Sequence, residues 1–355
     1  MKRLALIWLV FGALVGSLLL FPRAAASPGT TERVSVDSAG NQAPQGAAGP
    51  YMSADGRYVV FDSLDPLSPG DANYFCDTDY DDVYDDNCGD TFVHDRQTGA
   101  TELASVDSAG NQGDDHSFAG PISADGRYVV FWSSAHNLVS GDTNARDDVF
   151  VHDRQTGLTE RVSVDSAGNQ GNGTSYPYAV SADGRYVVLE SFASNLVPGD
   201  TNNMPDVFVH DRQTGATERV SVDSAGNQAD DGGEISSVSA DGHYVAFSSG
   251  ASNLVPGDTN FHTDIFVHDR QTGVTERVSV DSAGNQANGG ADGPYMSADG
   301  RYVAFSSYSS NLVPGDTNGE TDVFVHDRQT GLTERVSVDS AGNEGNGESR
   351  CRHQR

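Results

Sequence analysis

The chain is short of positive charge, of cysteine and, beyond its first residues, of long apolar runs. Its 355 residues include 21 Lys and Arg against 51 Asp and Glu, a formal net charge of -30. A surface of that sign repels phosphate backbones, which excludes nucleic acid as a partner class and favours cations. Three cysteines occur, Cys76, Cys88 and Cys351, and none directly follows the apolar N-terminal stretch, so lipoprotein anchoring is excluded. After residue 30 no window spaces its apolar residues at helical intervals, and no second membrane segment is expected. A Gly-rich phosphate loop, an elbow serine and the spacing of a zinc-ligand set are likewise missing.

What is present begins with an export signal. Lys2 and Arg3 precede the apolar run Leu4 to Phe21, then Pro22 and the small residues Ala24, Ala25 and Ala26. Basic, apolar and small segments in that order read as a secretory signal over 1-26, cleaved after Ala26, and place the rest of the chain outside the cytoplasm. The alternative is an uncleaved anchor, which would make this segment the only contact with a membrane.

Repetition governs the remainder. HDRQTG starts at His94, His152, His210, His268 and His326, a constant step of 58. SADG starts at Ser53, Ser123, Ser181, Ser239 and Ser297, and VDSAGN recurs six times. Each unit reads as four short strands: a brief apolar segment before SADG, the strand after that hairpin signal, the DVFVHD strand, and a TERVSV strand after the HDRQTG turn. Between the second and third strands lies an NLVPGDTN loop. Self-similar four-stranded units that cannot bury both faces alone predict an all-β propeller of five four-stranded blades over 31-340. The repeats fall at roughly 48-106, 118-164, 176-222, 234-280 and 292-338, followed by an irregular tail at 341-355.

Thr31 to Val36 is an extra N-terminal fourth strand with no first three before it. Either it adds to a blade edge of a five-bladed ring, or the ring is a truncated six-bladed one. In support of truncation, the next SADG is due at 355, and a one-base shift of frame lets the codons of Cys351 to Arg355 encode a fitting first strand. A truncated ring would leave a free strand edge prone to dimerisation.

Segments such as Ser181-Ala-Asp-Gly-Arg-Tyr-Val-Val188 followed by Asp206-Val-Phe-Val-His-Asp211 resemble the repeats of TolB-type, WD-repeat-like propellers. The likeness recurs in all five units, with Ala in place of that family's Pro in SPDG. It implies the propeller fold and, since such propellers bind proteins, peptides or glycans, little about the ligand.

One active site needs dissimilar groups, whereas the five HDRQTG histidines are equivalent and read as structural corners. The chain is therefore expected not to be an enzyme and to need no organic cofactor. Oxygen ligands recur in the loop, as Asp142, Asn144 and Asp148; Asp200, Asn202 and Asp206; Asp258, Asn260 and Asp264; and Asp316, Asn318 and Asp322. They match part of a calcium loop without its terminal Glu, and equally match a turn whose side chains bond local amides. The first unit alone carries an acidic insertion, in which Asp77, Asp79 and Asp81 are a further candidate Ca2+ site or recognition loop. Cys76 and Cys88 flank it and are expected to form a disulfide.

These features favour an exported binding or scaffold propeller with a protein, peptide or glycan ligand. The alternatives are a glycan-active hydrolase or lyase and a purely structural envelope protein. A glycan-active site would need carboxylates on the inner strands, and Gly120 to Ser123, Tyr178 to Ser181 and Ser236 to Ser239 carry none.

Overall fold

The computed structural model describes residues 31-71, 75-76 and 86-350. The signal segment 1-26, Asp77, Asp79, Asp81 and Cys351 lie outside the described residues, as does the side chain of Cys76. The sheets belong to the larger of the chain's two compact units, Val34-Arg355.

That unit is a β-propeller of five four-stranded antiparallel sheets, each with its strands in chain order. In the third blade the strands are Ser175-Val180, Tyr186-Ser191, Asp206-Asp211 and Ala216-Arg219. First strands pack against the first strands of neighbouring blades, which makes them the innermost. Ahead of the first blade, Val36 forms only an isolated bridge with Gln42.

SADG makes the hairpin through its side chains. Ser181 Oγ donates to Asp183 Oδ1 at 2.6 Å, while the amides of Arg185 and Tyr186 donate to Asp183 Oδ1 and Ser181 Oγ at 3.0 and 2.9 Å. Gly184 closes the turn at φ 74°, a conformation costly for any residue with a Cβ. The turn thus holds its shape by local hydrogen bonds, which is why Ala serves where related repeats have Pro. Arg185 then reaches across to Asp211 with two bonds of 2.8 and 2.6 Å, and this ion pair holds the Asp211 carboxyl well below its ordinary range. The fourth blade substitutes His243, which meets Asp269 at 2.7 Å.

Alternating residues of the second and third strands pack in opposite directions. Val188, Val207, Val209 and Val220 of the third blade form one cluster with Val245, Phe247, Leu254 and Phe266 of the fourth. Each of the first four blades thus buries one face in its successor, and burial of that apolar area supplies most of the cohesion.

A polar clasp fixes the register of each junction. Tyr128 lies between its own neighbour Arg127, at 4.7 Å from the ring centre, and Arg212 of the next blade at 4.2 Å. Arg212 also donates to Glu160 at 2.5 Å and to the Gly184 carbonyl at 2.6 Å. A Cβ on Gly184 would lie 2.1 Å from the Tyr128 ring, so that glycine is demanded twice, by its φ and by the ring beneath it. The same clasp joins Tyr58 to Arg154, Tyr186 to Arg270 and Tyr244 to Arg328.

One buried position breaks the pattern at a cost. Thr91 stands where the other blades have Val149, Val207, Ile265 and Val323, and its buried hydroxyl has no hydrogen-bond partner among the described residues. Thr91→Val should raise stability by about 1 kcal/mol, since it removes an unsatisfied buried oxygen at constant volume. Urea denaturation measures this, and an unchanged or lower midpoint would contradict it.

Candidate functional site

The five HDRQTG histidines are buried at the ends of the third strands. In each, Nδ1 lies 2.9 Å from a threonine Oγ1 of the fourth strand, as His152 does from Thr159. The Thr159 hydroxyl donates to the Val106 carbonyl at 2.5 Å, so it accepts from the histidine, and Nδ1 carries the proton. Burial lowers the pKa of His152, His210, His268 and His326, keeping the rings neutral. They are structural corners that hold the VDSAGN strap.

The loop oxygens are gathered around an arginine of the fourth strand. Asp142 and Asp148 both face Arg161, whose Nη1 is 3.4 Å from each carboxylate. Gln170 donates to both at 2.7 Å, Ser163 bonds the remaining oxygen of Asp148, and Asn144 donates to Asp148 at 3.2 Å and to the Gly171 carbonyl at 2.9 Å. Arg219 sits 3.7 and 3.2 Å from Asp200 and Asp206, and Arg277 sits 3.4 Å from both Asp258 and Asp264. Asn202 and Asn260 donate to the carbonyls of Ala229 and Ala287. In these three blades the positive charge between the carboxylates is a guanidinium from the fourth strand. Burial still raises the pKa of Asp148, Asp206 and Asp264, with the arginine acting against it.

The end blades depart from this arrangement. In the last, Glu344 replaces the recurring Gln, so Asp316, Asp322 and Glu344 bring ligand oxygens within 4.8 Å of one another around one arginine, Arg335. Amides of Thr317 and Asn318 donate to Glu344 at 2.9 Å, and these bonds bring its pKa down to about 2. Asn318 donates to Asp322 at 3.3 Å. In the first blade Leu103 stands where the others have arginine. Asp90, 1 % exposed, accepts from Ser105 and Gln112 at 2.7 and 2.5 Å. Burial, with the Asp71 charge adding to it, pushes its pKa up to about 7.

A second set of departures gathers at one level of the inner strands. Cross-strand partners there are Ala48 and Asp62, Phe118 and Trp132, Tyr176 and Glu190, Glu234 and Ser248, and Asp292 and Ser306. These are equivalent positions in five otherwise repetitive blades, yet no two pairs are identical, and only the last two, each an acid opposite a serine, share a chemistry. His116, Phe118, Trp132 and Tyr176 form a continuous aromatic array, with ring centres 5.8, 4.1 and 5.0 Å apart in succession. Glu190 is 7 % exposed, whereas Glu234 and Asp292 are exposed. Asp62 is half-buried, and its pKa is raised by that burial.

The inner strands are therefore not free of carboxylates, as the sequence suggested. They begin at Ser117, Ser175, Gly233 and Ala291, ahead of the windows chosen next to SADG, and a bulge in each hid the early start. The usable signal was the divergence itself: the residues just before SADG vary while the rest of the unit repeats.

No family model matches the sequence, and no curated protein matches it. Solved structures do. A putative TolB from Agrobacterium tumefaciens is 15 % identical over 83 % of this chain and 81 % of that one, with a TM-score of 0.47. TolB from Acinetobacter baumannii is 15 % identical over 81 % of this chain and 53 % of its own length, at 0.44. The β-propeller domain of the Trilobed protease from Pyrococcus furiosus, described as having an open velcro topology, is 10 % identical over 82 % and 71 %, at 0.49.

Asp90 carries a pH dependence with a definite sign. Its carboxyl has a higher pKa folded than unfolded, so its contribution is complete below about pH 4 and is lost as pH rises through about 7. Asp90→Asn should flatten the fall in stability across that window, and Leu103→Arg should do the same by supplying the ion pair of the other blades. Urea midpoints between pH 4 and 8 test this; parallel profiles for wild type and Asp90→Asn would refute it.

Proposed function

We propose that the chain is an exported binding or scaffold propeller that holds a protein, peptide or glycan ligand at the variable inner level, and that it is not an enzyme. The observation that carries this reading is the divergence of that level in blades that otherwise repeat. Packing alone would be served by the same pair five times, whereas a single ligand presents different chemistry to each blade. Trp132 and its stacked neighbours offer an apolar platform, and Asp62, Glu234 and Asp292 offer carboxylates at the same level.

Screening the protein on glycan and peptide arrays tests the reading. Trp132→Ala should weaken the ligand found by tenfold or more, about 1.4 kcal/mol. Retention of full affinity in Trp132→Ala would move the site elsewhere. The alternative of a glycan-active hydrolase or lyase gains support from two carboxylates at this level in adjacent blades, Glu190 on a second strand and Glu234 on the next blade's first strand. Turnover of an array ligand that is lost in Glu190→Gln would establish it and overturn the non-enzymatic reading.

The Cys76 to Cys88 disulfide remains part of the proposal. Its support is a two-residue ladder that places Cys76 opposite Asp86, and a buried Cys88 sulfur that is disulfide-bonded. Among the described residues, calcium binding finds its support in the last blade, where three carboxylates share one arginine, since in the middle blades a guanidinium meets the charge; the candidate Asp77, Asp79 and Asp81 stays part of the proposal. Millimolar calcium should raise the melting temperature of the wild type and raise that of Glu344→Gln less. Equal melting temperatures for the wild type with calcium and with chelator would remove the metal from the account.

A further inference from the structure

In four of the five blades a guanidinium sits between two carboxylates, and the first blade has the carboxylates with no arginine at that place. Asp142 and Asp148 each lie 3.4 Å from Arg161, and the last blade sets Asp316 and Asp322 at 3.6 and 3.2 Å from Arg335. Arg219 and Arg277 serve the two blades between in the same way. The counterparts in the first blade are Asp71 and Asp90. Gln112 stands for Gln170 and donates to both, at 3.3 and 2.5 Å, while Ser105 stands for Ser163 and donates to Asp90 at 2.7 Å. These members of the cluster are reproduced, but the position of the arginine is Leu103.

Among the described residues no arginine or lysine pairs with Asp90, which is 1 % exposed and has a second acid, Asp71, within electrostatic reach. The chain between those two aspartates holds no Lys, Arg or His. Two carboxylates brought together out of water cost more than hydrogen bonds alone return, which is why the other blades place an arginine there. Leu103 packs against the cluster of Leu67 and Phe92, so it takes the space of an arginine stem and leaves out only the charged end. What that end would fill is the size of an ion, and the burial of Asp90 favours a bare ion over a side chain of another molecule. The groups at hand all offer oxygen: two carboxylates, the Ser105 hydroxyl and the Gln112 amide, which presents its carbonyl on rotating about its last torsion. That is the ligand set of a hard cation.

We propose that the first blade binds a calcium ion where the other blades hold a guanidinium, with Asp71, Asp90 and the Gln112 amide oxygen as its ligands. The site is distinct from Asp316, Asp322 and Glu344 of the last blade and does not depend on a ligand at the inner level. Four sister blades show that these two acidic positions are built to hold a cation, and the first blade alone takes it from solution. Asp71 precedes the acidic insertion and Asp90 follows it, so the ion ties the two ends of the insertion together. The other blades lack the insertion and meet the same charge with their own arginine. Two carboxylates give a weak site, of about 10⁻⁴ to 10⁻³ M as in extracellular modules.

The test is equilibrium dialysis of the full chain against calcium, in a Glu344→Gln background that removes the third carboxylate of the last blade. Calcium should still bind, and Leu103→Arg, which supplies the guanidinium of the other blades, should weaken it by about tenfold or more. Asp90→Asn should weaken it equally, so the outcome does not hang on whether the larger arginine is accommodated. In the reverse direction, Arg161→Leu should give the second blade the same site and raise the bound calcium by one ion per chain. Circular dichroism establishes that each variant is folded. Affinity unchanged in folded Leu103→Arg and Asp90→Asn would overturn the proposal, as would no binding at about 10 mM calcium, above the range of extracellular modules. A folded Arg161→Leu that gains no ion would also overturn it. Binding indifferent to Leu103→Arg but lost when Asp79 and Asp81 are changed to Asn would overturn it in favour of the acidic insertion.

Discussion

The junction between blades depends on one close approach, the seating of a SADG glycine on the tyrosine of the preceding blade. At Gly126, Gly184, Gly242 and Gly300 a Cβ would fall 2.0 to 2.3 Å from the ring. With the glycine seated, its carbonyl and the preceding glutamate hold an arginine over the other part of the ring, and the guanidinium is shared between an acceptor, an ion pair and a π face. Apolar burial between blades is large but tolerant of small slips. The clasp is directional and fixes how each sheet is offset against the next.

Repetition of that clasp frees other positions to diverge. Within each unit the buried acids are neutralised locally, by a fourth-strand arginine at the loop and by the arginine after SADG at the third strand. Where one of these partners changes, the electrostatics change with it: Leu103 leaves Asp90 to burial, and Glu344 adds a third carboxylate around Arg335. The inner level departs further, because its side chains face one another across the blades and do not take part in the clasp or the loop cluster.

Much of the fold was legible in the sequence because turns and strands announce themselves by spacing. The HDRQTG step of 58 and the alternating DVFVHD strands gave blade number and strand count. The structural role of the five histidines followed from their equivalence. The role of Arg161, Arg219, Arg277 and Arg335 did not, because contact between the fourth strand and the loop depends on how a sheet edge folds over the long connection. The inner level was misplaced for a similar reason: β-bulges such as the one between Pro177 and Ala179 shift the register, and alternation counted back from SADG then loses the strand's true start. Glu234 and Asp292 precede the short apolar segments next to SADG and so fall outside that alternation.

A double-mutant cycle at one internal junction tests the clasp most directly. Gly242→Ala, Tyr186→Ala and the pair are compared by urea denaturation. Gly242→Ala in the wild-type background should destabilise strongly, since a methyl would overlap the Tyr186 ring at 2.1 Å. Without the ring, only the backbone cost at φ 72° remains, so the two losses should fall short of additivity by about 1 kcal/mol or more. Strictly additive losses would mean that glycine and ring do not meet, and that the blades are held in register by something else.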